Sequence, residues 1–225
     1  MKLLRNLYLI KLFLQDFKIN KVELNKTFKE EYKSYLKIKR WFSGKKISKD
    51  NLIIYSPGCG RDFATMLMIY DAIASEKNTR ATFVFQDIRD FYDGIIYELE
   101  KYTLGKKLKI IQHKAKDKYS ATAYFKNKTF NIIYYVKDAS NFFPPELNNN
   151  IDIYYERAFE MFRSKDAMML YKILKNVKPL GLLISDYGFE FGSQKQNFKK
   201  LSRLPKNFGL YGNFQIWQKK LNKSL

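Results

Sequence analysis

The stretch that decides the fold is Leu52-Ile53-Ile54-Tyr55-Ser56-Pro57-Gly58-Cys59-Gly60-Arg61-Asp62. Its first four residues are β-branched, aliphatic or aromatic, as in a buried strand. The two glycines predict a tight turn, because glycine adopts backbone angles closed to other residues and has no Cβ to hold a ligand away. The apolar residues 63–70 then predict the start of a helix. A strand that turns through glycines into a helix is how α/β proteins bring a nucleotide-like ligand against the backbone.

Strand and helix patterns alternate along the chain after this turn. We expect a helix over 62–75, a second buried strand over 81–86 that closes on Asp87, and a helix over 90–101. A third strand is predicted over 108–111, and a hairpin follows. Its arms cover 121–125 and 129–136, and the second arm is predicted to be the fourth core strand, ending at Asp138.

The C-terminal third continues this pattern with a helix over 153–177 and a fifth strand over 182–185. Two tail segments, 208–211 and 214–219, predict a closing hairpin around Gly212-Asn213. The order as a whole predicts an α/β protein with a mostly parallel, doubly wound sheet of the seven-stranded type and an antiparallel C-terminal hairpin.

Net charge separates the ends of the chain from its middle. The formal charge is +20, of which residues 1–50 supply +9 and residues 191–225 supply +8. We expect residues 1–48 to form a basic, mainly helical N-terminal appendage, and residues 49–225 to form a Rossmann-type domain. The basic ends suit a phosphate-rich partner. They are equally explained by overall composition, since 34 of the 42 cations are lysine, whereas arginine is the preferred residue for phosphate recognition.

Residue counts exclude several classes of protein. The single cysteine, Cys59, and the single histidine, His113, exclude an internal disulfide and a cysteine-based metal cluster. We therefore expect no metal site. The apolar stretch over 3–17 is interrupted by Arg5, Lys11 and Asp16, so we expect no membrane association and a cytoplasmic protein.

The glycine turn lacks the third glycine of a dinucleotide-binding G-x-G-x-x-G loop, which disfavours a dinucleotide-dependent oxidoreductase. It resembles motif I of the class I S-adenosylmethionine-dependent methyltransferases, acid-x-Gly-x-Gly-x-Gly. Two positions depart from that motif: Ser56 stands where the family has an acid, and Asp62 where it has the third glycine. Asp62 could contact the positive end of the cofactor or cap the following helix, and these roles are compatible.

The resemblance implies S-adenosylmethionine as cofactor and a set of residues that bind it. These are Ser56, Pro57, Gly58, Cys59, Gly60, Asp62, Asp87, Ile88 and Asp117. Asp87 would accept hydrogen bonds from the ribose hydroxyls, as the acid of a Rossmann site does, with Asp90 as the alternative acid. Asp117 would stand at the family position that receives the adenine amino group.

The resemblance also implies transfer of a methyl group, but the residues identify the acceptor side less well. Asp138 is the leading candidate for a general base or orienting group, since it ends a strand beside which the acceptor should lie; its alternative role is to cap the next loop. The expected acceptor is either a nucleic acid or a small anionic molecule. The competing function is a non-catalytic nucleic-acid-binding protein that retains the fold.

Overall fold

The computed structural model describes residues 15–104, 109–157, 159, 166–203 and 215–221. The helices are α1 (Lys21–Thr27), α2 (Lys29–Trp41), α3 (Ala64–Ile73), α4 (Tyr92–Tyr102) and α5 (Ala167–Asn176), with 3-10 turns at Pro145–Leu147 and Gly192–Asn197. The strands are β1 (Lys18–Ile19), β2 (Asn51–Pro57), β3 (Arg80–Asp87), β4 (Thr103–Leu104), β5 (Lys109–Lys114), β6 (Lys118–Tyr124), β7 (Thr129–Val136), β8 (Ile151–Glu156), β9 (Val177–Ser185), β10 (Phe198–Arg203) and β11 (Gln215–Lys219). Among the described helices, none has the length and apolarity required to span a bilayer.

The main sheet has the strand order β10-β11-β9-β8-β2-β3-β7-β6-β5. β8 pairs in parallel with both β2 and β9, whereas β11 is antiparallel to β9 and β10, and β5 is antiparallel to β6. The sheet is therefore mixed, with parallel pairing at β2, β8 and β9 in its centre and antiparallel pairing towards its edges, which confirms the predicted α/β class. In the described part of the chain it contains nine strands rather than the expected seven, and β5 and β6 extend it beyond β7.

The prediction of a helix over 153–177 is wrong in its first part. Residues Ile151–Glu156 form β8, and the helix α5 begins only at Ala167. All six residues of β8 are buried, because a central parallel strand is covered on both faces. Apart from Asp152 and Glu156 this strand is apolar, and its two faces do not alternate in burial, so its pattern does not distinguish it from a buried helix.

The tail contains an antiparallel strand pair, but its first strand differs from the predicted one. β10 pairs with β11 from Phe198↔Lys219 to Arg203↔Gln215, with an irregularity between Lys200 and Ser202. The predicted arm over 208–211 and its turn at 212–213 lie outside the described residues. The segment 198–203 contains only two apolar residues, so its sequence gives little indication of a strand.

The chain divides into two compact units. The first draws on residues 1–51, 61–82 and 91–133, and the second on 52–60, 83–90 and 134–225. Within the first unit, α2 packs against α3, where the Tyr35 hydroxyl donates to Asp71 Oδ2 at 2.5 Å. Nine of the ten residues of α3 are buried, as expected for a helix that is apolar all round. The second unit contains β8, β9, β10 and β11 and the glycine turn as far as Gly60.

Candidate functional site

The turn after β2 has the conformation that its glycines predict. Gly58 and Gly60 have φ angles of +57° and +55°, in the left-handed region that disfavours other residues. The Gly58 amide donates to the Gln86 carbonyl at 2.7 Å. A Cβ on Gly58 would lie 2.2 Å from Phe159 Cδ2, whereas a Cβ on Gly60 would have no atom of the described residues within 4 Å. The space that a Gly58 side chain would need is therefore filled by Phe159, and the corresponding space at Gly60 is open.

Asp87, the last residue of β3, is held beside that open space by two backbone amides. Gly60 N donates to Asp87 Oδ2 at 3.1 Å, and Arg89 N donates to Oδ1 at 3.2 Å. A carboxylate has about four lone-pair sites, so these two bonds leave acceptor capacity on each oxygen. The structure thus brings the glycine turn and Asp87 together, with a fixed and half-buried carboxylate that can accept two further hydrogen bonds.

A chain of buried hydrogen bonds through Tyr55 and Gln86, which we call the relay, supports the glycine turn. The Tyr55 hydroxyl donates to Gln86 Oε1 at 2.8 Å, and Gln86 Nε2 donates to the Phe142 carbonyl at 3.0 Å. Tyr55 and Gln86 are fully buried, and burial raises the pKa of the Tyr55 hydroxyl, so this group remains a neutral donor. Because Gln86 also accepts from Gly58 N, the relay fixes both the turn and the end of β3.

The start of α3 is capped by two carboxylates of the chain itself. Asp62 Oδ1 accepts from Thr65 N at 3.1 Å, which is the capping role considered for it. Glu98 Oε2 accepts from Phe63 N at 2.7 Å and from Ala64 N at 2.8 Å. Burial raises the pKa of Glu98 to about 7, although the hydrogen bonds from the two backbone amides favour its charged form. The sequence did not indicate this contact, because Glu98 lies 34 positions from the nearer amide.

The remaining predicted cofactor residues lie in different surroundings. Ser56 and Pro57 are buried at the end of β2, so they support the turn and do not present side chains to solvent. The Cys59 thiol donates to the Gly60 carbonyl, with Sγ and O 3.5 Å apart. Ile88 is 66% exposed immediately after Asp87. Asp117 lies in the turn between β5 and β6, at the edge of the sheet.

Asp138 follows β7, and the position of β7 in the sheet differs from the one that made Asp138 an acceptor-side candidate. β7 was expected to be the fourth core strand, but it neighbours β3, and the strand beside β2 is β8. The β5–β6 hairpin precedes β7 in the chain and shifted the count of strands. Asp138 Oδ1 accepts from Ser140 N at 2.9 Å, and Oδ2 from Asn141 Nδ2 at 3.4 Å. Asp138 therefore also orders its own loop, as its alternative role required.

The buried carboxylate of Glu156 lies at the end of β8, a segment that the sequence pattern predicted to be helical. β2 and β8 pair in register at Tyr55↔Tyr154, so Glu156 is level with Pro57, next to the glycine turn. Glu156 is fully buried. Its Oε2 accepts from the Tyr154 hydroxyl at 2.7 Å, and its Oε1 accepts from the Ser185 hydroxyl at 2.8 Å. Recognition of 151–156 as a strand would have placed this acid at the carboxyl edge of the sheet.

Comparison with known proteins finds similar structures but no similar sequences. A scan of protein-family models finds no match, and no curated protein shows significant sequence similarity. A solved structure similar to this chain is a SAM (S-adenosylmethionine) dependent methyltransferase from Aquifex aeolicus, with 10% identity, 91% of this chain and 100% of that chain covered, and a TM-score of 0.48. The N-methyltransferase NodS from Bradyrhizobium japonicum WM9 has 9% identity, coverage of 86% and 98%, and a TM-score of 0.48.

Another similar structure contains the cofactor. It is phosphoethanolamine N-methyltransferase 2 from Haemonchus contortus in complex with S-adenosyl-L-methionine, with 13% identity, coverage of 68% of this chain and 27% of that chain, and a TM-score of 0.38. Many of the structures similar to this chain are S-adenosylmethionine-dependent methyltransferases.

Proposed function

We propose that this protein is an S-adenosylmethionine-dependent methyltransferase whose glycine turn and Asp87 hold the cofactor. The observation that carries the proposal is the pairing of open space at Gly60 with the Asp87 carboxylate beside it. The free acceptor sites on Asp87 suit the two hydroxyls of a ribose. The bound cofactor would supply a methyl group on a sulfonium; an acceptor atom would attack the methyl carbon in line with the carbon–sulfur bond, and S-adenosylhomocysteine would leave with the bonding electrons.

The cap on α3 favours this cofactor over a dinucleotide. Dinucleotide-binding folds place a pyrophosphate at the amino end of the helix that follows the glycine turn. Here Glu98 and Asp62 already accept from the amides of Phe63, Ala64 and Thr65. A phosphate at this position would have to displace a carboxylate and would be repelled by it. S-adenosylmethionine has no phosphate, so an internal carboxylate at this helix end is compatible with its binding.

The adenine would lie beyond the ribose, towards the end of β7. Exposed Ile88 offers an apolar surface for the face of a purine next to Asp87. The resemblance assigns the adenine amino group to an acid after the third core strand, and the strand that neighbours β3 is β7. We therefore assign that role to Asp138 in place of Asp117, which follows the edge strand β5.

On the acceptor side, we assign the orienting role to Glu156. Its carboxylate is buried at the end of the strand adjacent to β2, and hydroxyls of Tyr154 and Ser185 hold it in one position. A fixed carboxylate there could orient an acceptor or receive its proton, if the acceptor loses one. The chemical class of the acceptor follows from none of these contacts. Nothing favours a non-catalytic role over this function.

Isothermal titration calorimetry with S-adenosylmethionine, S-adenosylhomocysteine and NAD tests the proposal. We expect the first two to bind with micromolar Kd values and NAD not to bind. Asp87→Asn removes one carboxylate oxygen from the ribose site and should weaken both at least tenfold. Asp90→Asn, an exposed acid three residues further on, is the matched control and should bind as the wild type does. The absence of binding to either sulfur compound, or equal effects of the two substitutions, would refute the assignment.

A further inference from the structure

We propose that the exposed face of α2 binds the phosphate backbone of a nucleic acid. This face carries Lys29, Lys33, Lys37 and Arg40, which we call the α2 stripe. All four side chains are exposed. The proposal concerns the first compact unit alone and does not depend on methyl transfer.

The stripe is continuous because of its spacing. Its cations are separated by four, four and three residues, so a helical period of 3.6 residues places them on one side of α2. At a rise of 1.5 Å per residue they extend over about 16 Å. The opposite side of the helix holds Tyr35 and Ile38, which are buried. The packing against α3 therefore fixes which side of α2 faces solvent.

Two acids in the first turn of α2, Glu30 and Glu31, offset part of the charge of the stripe. Lys33 Nζ lies 2.7 Å from Glu30 Oε1, and both side chains are more than half exposed, so their interaction is weak. In the described part of the chain, Lys29, Lys37 and Arg40 form no salt bridge. The hydrogen bond from Lys33 lowers the pKa of Glu30, and the charges of Lys33, Lys29 and Lys37 lower it further. These cations thus act on the same region of the surface.

A nucleic acid matches this surface better than an anionic membrane does. A helix that binds a membrane inserts an apolar face into the lipid, but the apolar face of α2 is already packed against α3. Among the described residues, Leu36 is a large apolar side chain on this face of α2, and it is 43% exposed. Duplex DNA presents one negative charge per about 1.7 Å of its axis, so its backbone can pair with every cation of a stripe about 16 Å long.

Fluorescence anisotropy with a labelled 20-base-pair DNA duplex and a 20-nucleotide single-stranded RNA tests the proposal. Four phosphate contacts predict a slope of about −3.6 in log Kobs against log[salt] for the duplex and about −2.8 for the single strand. Duplex affinity should then fall roughly 100-fold between 50 and 200 mM salt. In the stripe variant, with Lys29→Gln, Lys33→Gln, Lys37→Gln and Arg40→Gln, affinity at 50 mM salt should fall at least tenfold and the slope should shrink by about three.

The control variant loses the same charge elsewhere, through Lys77→Gln, Lys116→Gln, Lys175→Gln and Lys199→Gln at four scattered, exposed lysines. Its slope should stay within one of the wild-type value. Circular dichroism should show that both variants retain the wild-type helix content, since glutamine has nearly the helix propensity of lysine. Equal losses in the two variants, or no binding by the wild type at 50 mM salt, would overturn the proposal. So would binding to vesicles rich in phosphatidylserine together with none to either nucleic acid.

Discussion

Substitution of Gly60 by alanine separates a role in folding from a role in ligand binding. Gly60 has a φ of +55°, and a Cβ there would meet no atom of the described residues within 4 Å. Alanine should therefore cost only the strain of the left-handed backbone, about 1–2 kcal/mol. Gly192 is the matched control, with a φ of +51° and equally open surroundings. Both variants should lose this free energy of unfolding in urea titrations.

The two variants should differ in their affinity for S-adenosylhomocysteine. In Gly60→Ala the new methyl group occupies the space that we assign to the ligand, so Kd should rise at least tenfold, a loss of about 1.4 kcal/mol. In Gly192→Ala the Kd from calorimetry should equal the wild-type value. If Gly60→Ala binds as tightly as Gly192→Ala, the open space at Gly60 is not the ligand site, and the reasoning is refuted.

Three further substitutions test the supports of the site. Tyr55→Phe leaves Gln86 Oε1 without its donor and should lower the free energy of unfolding by about 1–3 kcal/mol; an unchanged urea midpoint would contradict the relay. Glu98 has a pKa of about 7 in the folded chain, against 4.5 for an exposed glutamate. Between these pH values the folded chain binds more protons than the unfolded chain, so the free energy of unfolding should fall as pH rises. After allowance for solvent screening we expect a fall of about 1–2 kcal/mol, which Glu98→Gln should abolish in urea titrations across that range. Once an acceptor is found, Glu156→Gln should leave the calorimetric Kd of S-adenosylhomocysteine unchanged and lower kcat at least tenfold; an unchanged kcat would refute its acceptor-side role.

Local patterns were sufficient to predict β2, the glycine turn and β3. The strand before the glycine turn was recognised because β-branched residues stop abruptly at two glycines, and the structure places β2 over Asn51–Pro57. Asp87 was recognised because it directly ends an apolar run, and it is the last residue of β3. In both cases the residues that determine the strand and its end lie within about ten positions of one another in the sequence.

Elements whose positions depend on contacts between distant segments were predicted less well. β8 is buried on both faces and lacks alternation, so its pattern resembled a helix and Glu156 was placed on the wrong element. The strand before Asp138 was expected to be the fourth core strand but neighbours β3, because strand order is set by pairing and not by position in the chain. Glu98 caps α3 from α4, a contact that no local motif indicates.

A crystal structure of the protein with S-adenosylhomocysteine would test the central claim most directly. We expect both ribose hydroxyls to lie within hydrogen-bond distance of the Asp87 carboxylate, the ligand to contact Gly60, and the adenine to pack against Ile88. Density for the ligand at any other place, or a ribose that does not contact Asp87, would contradict that claim.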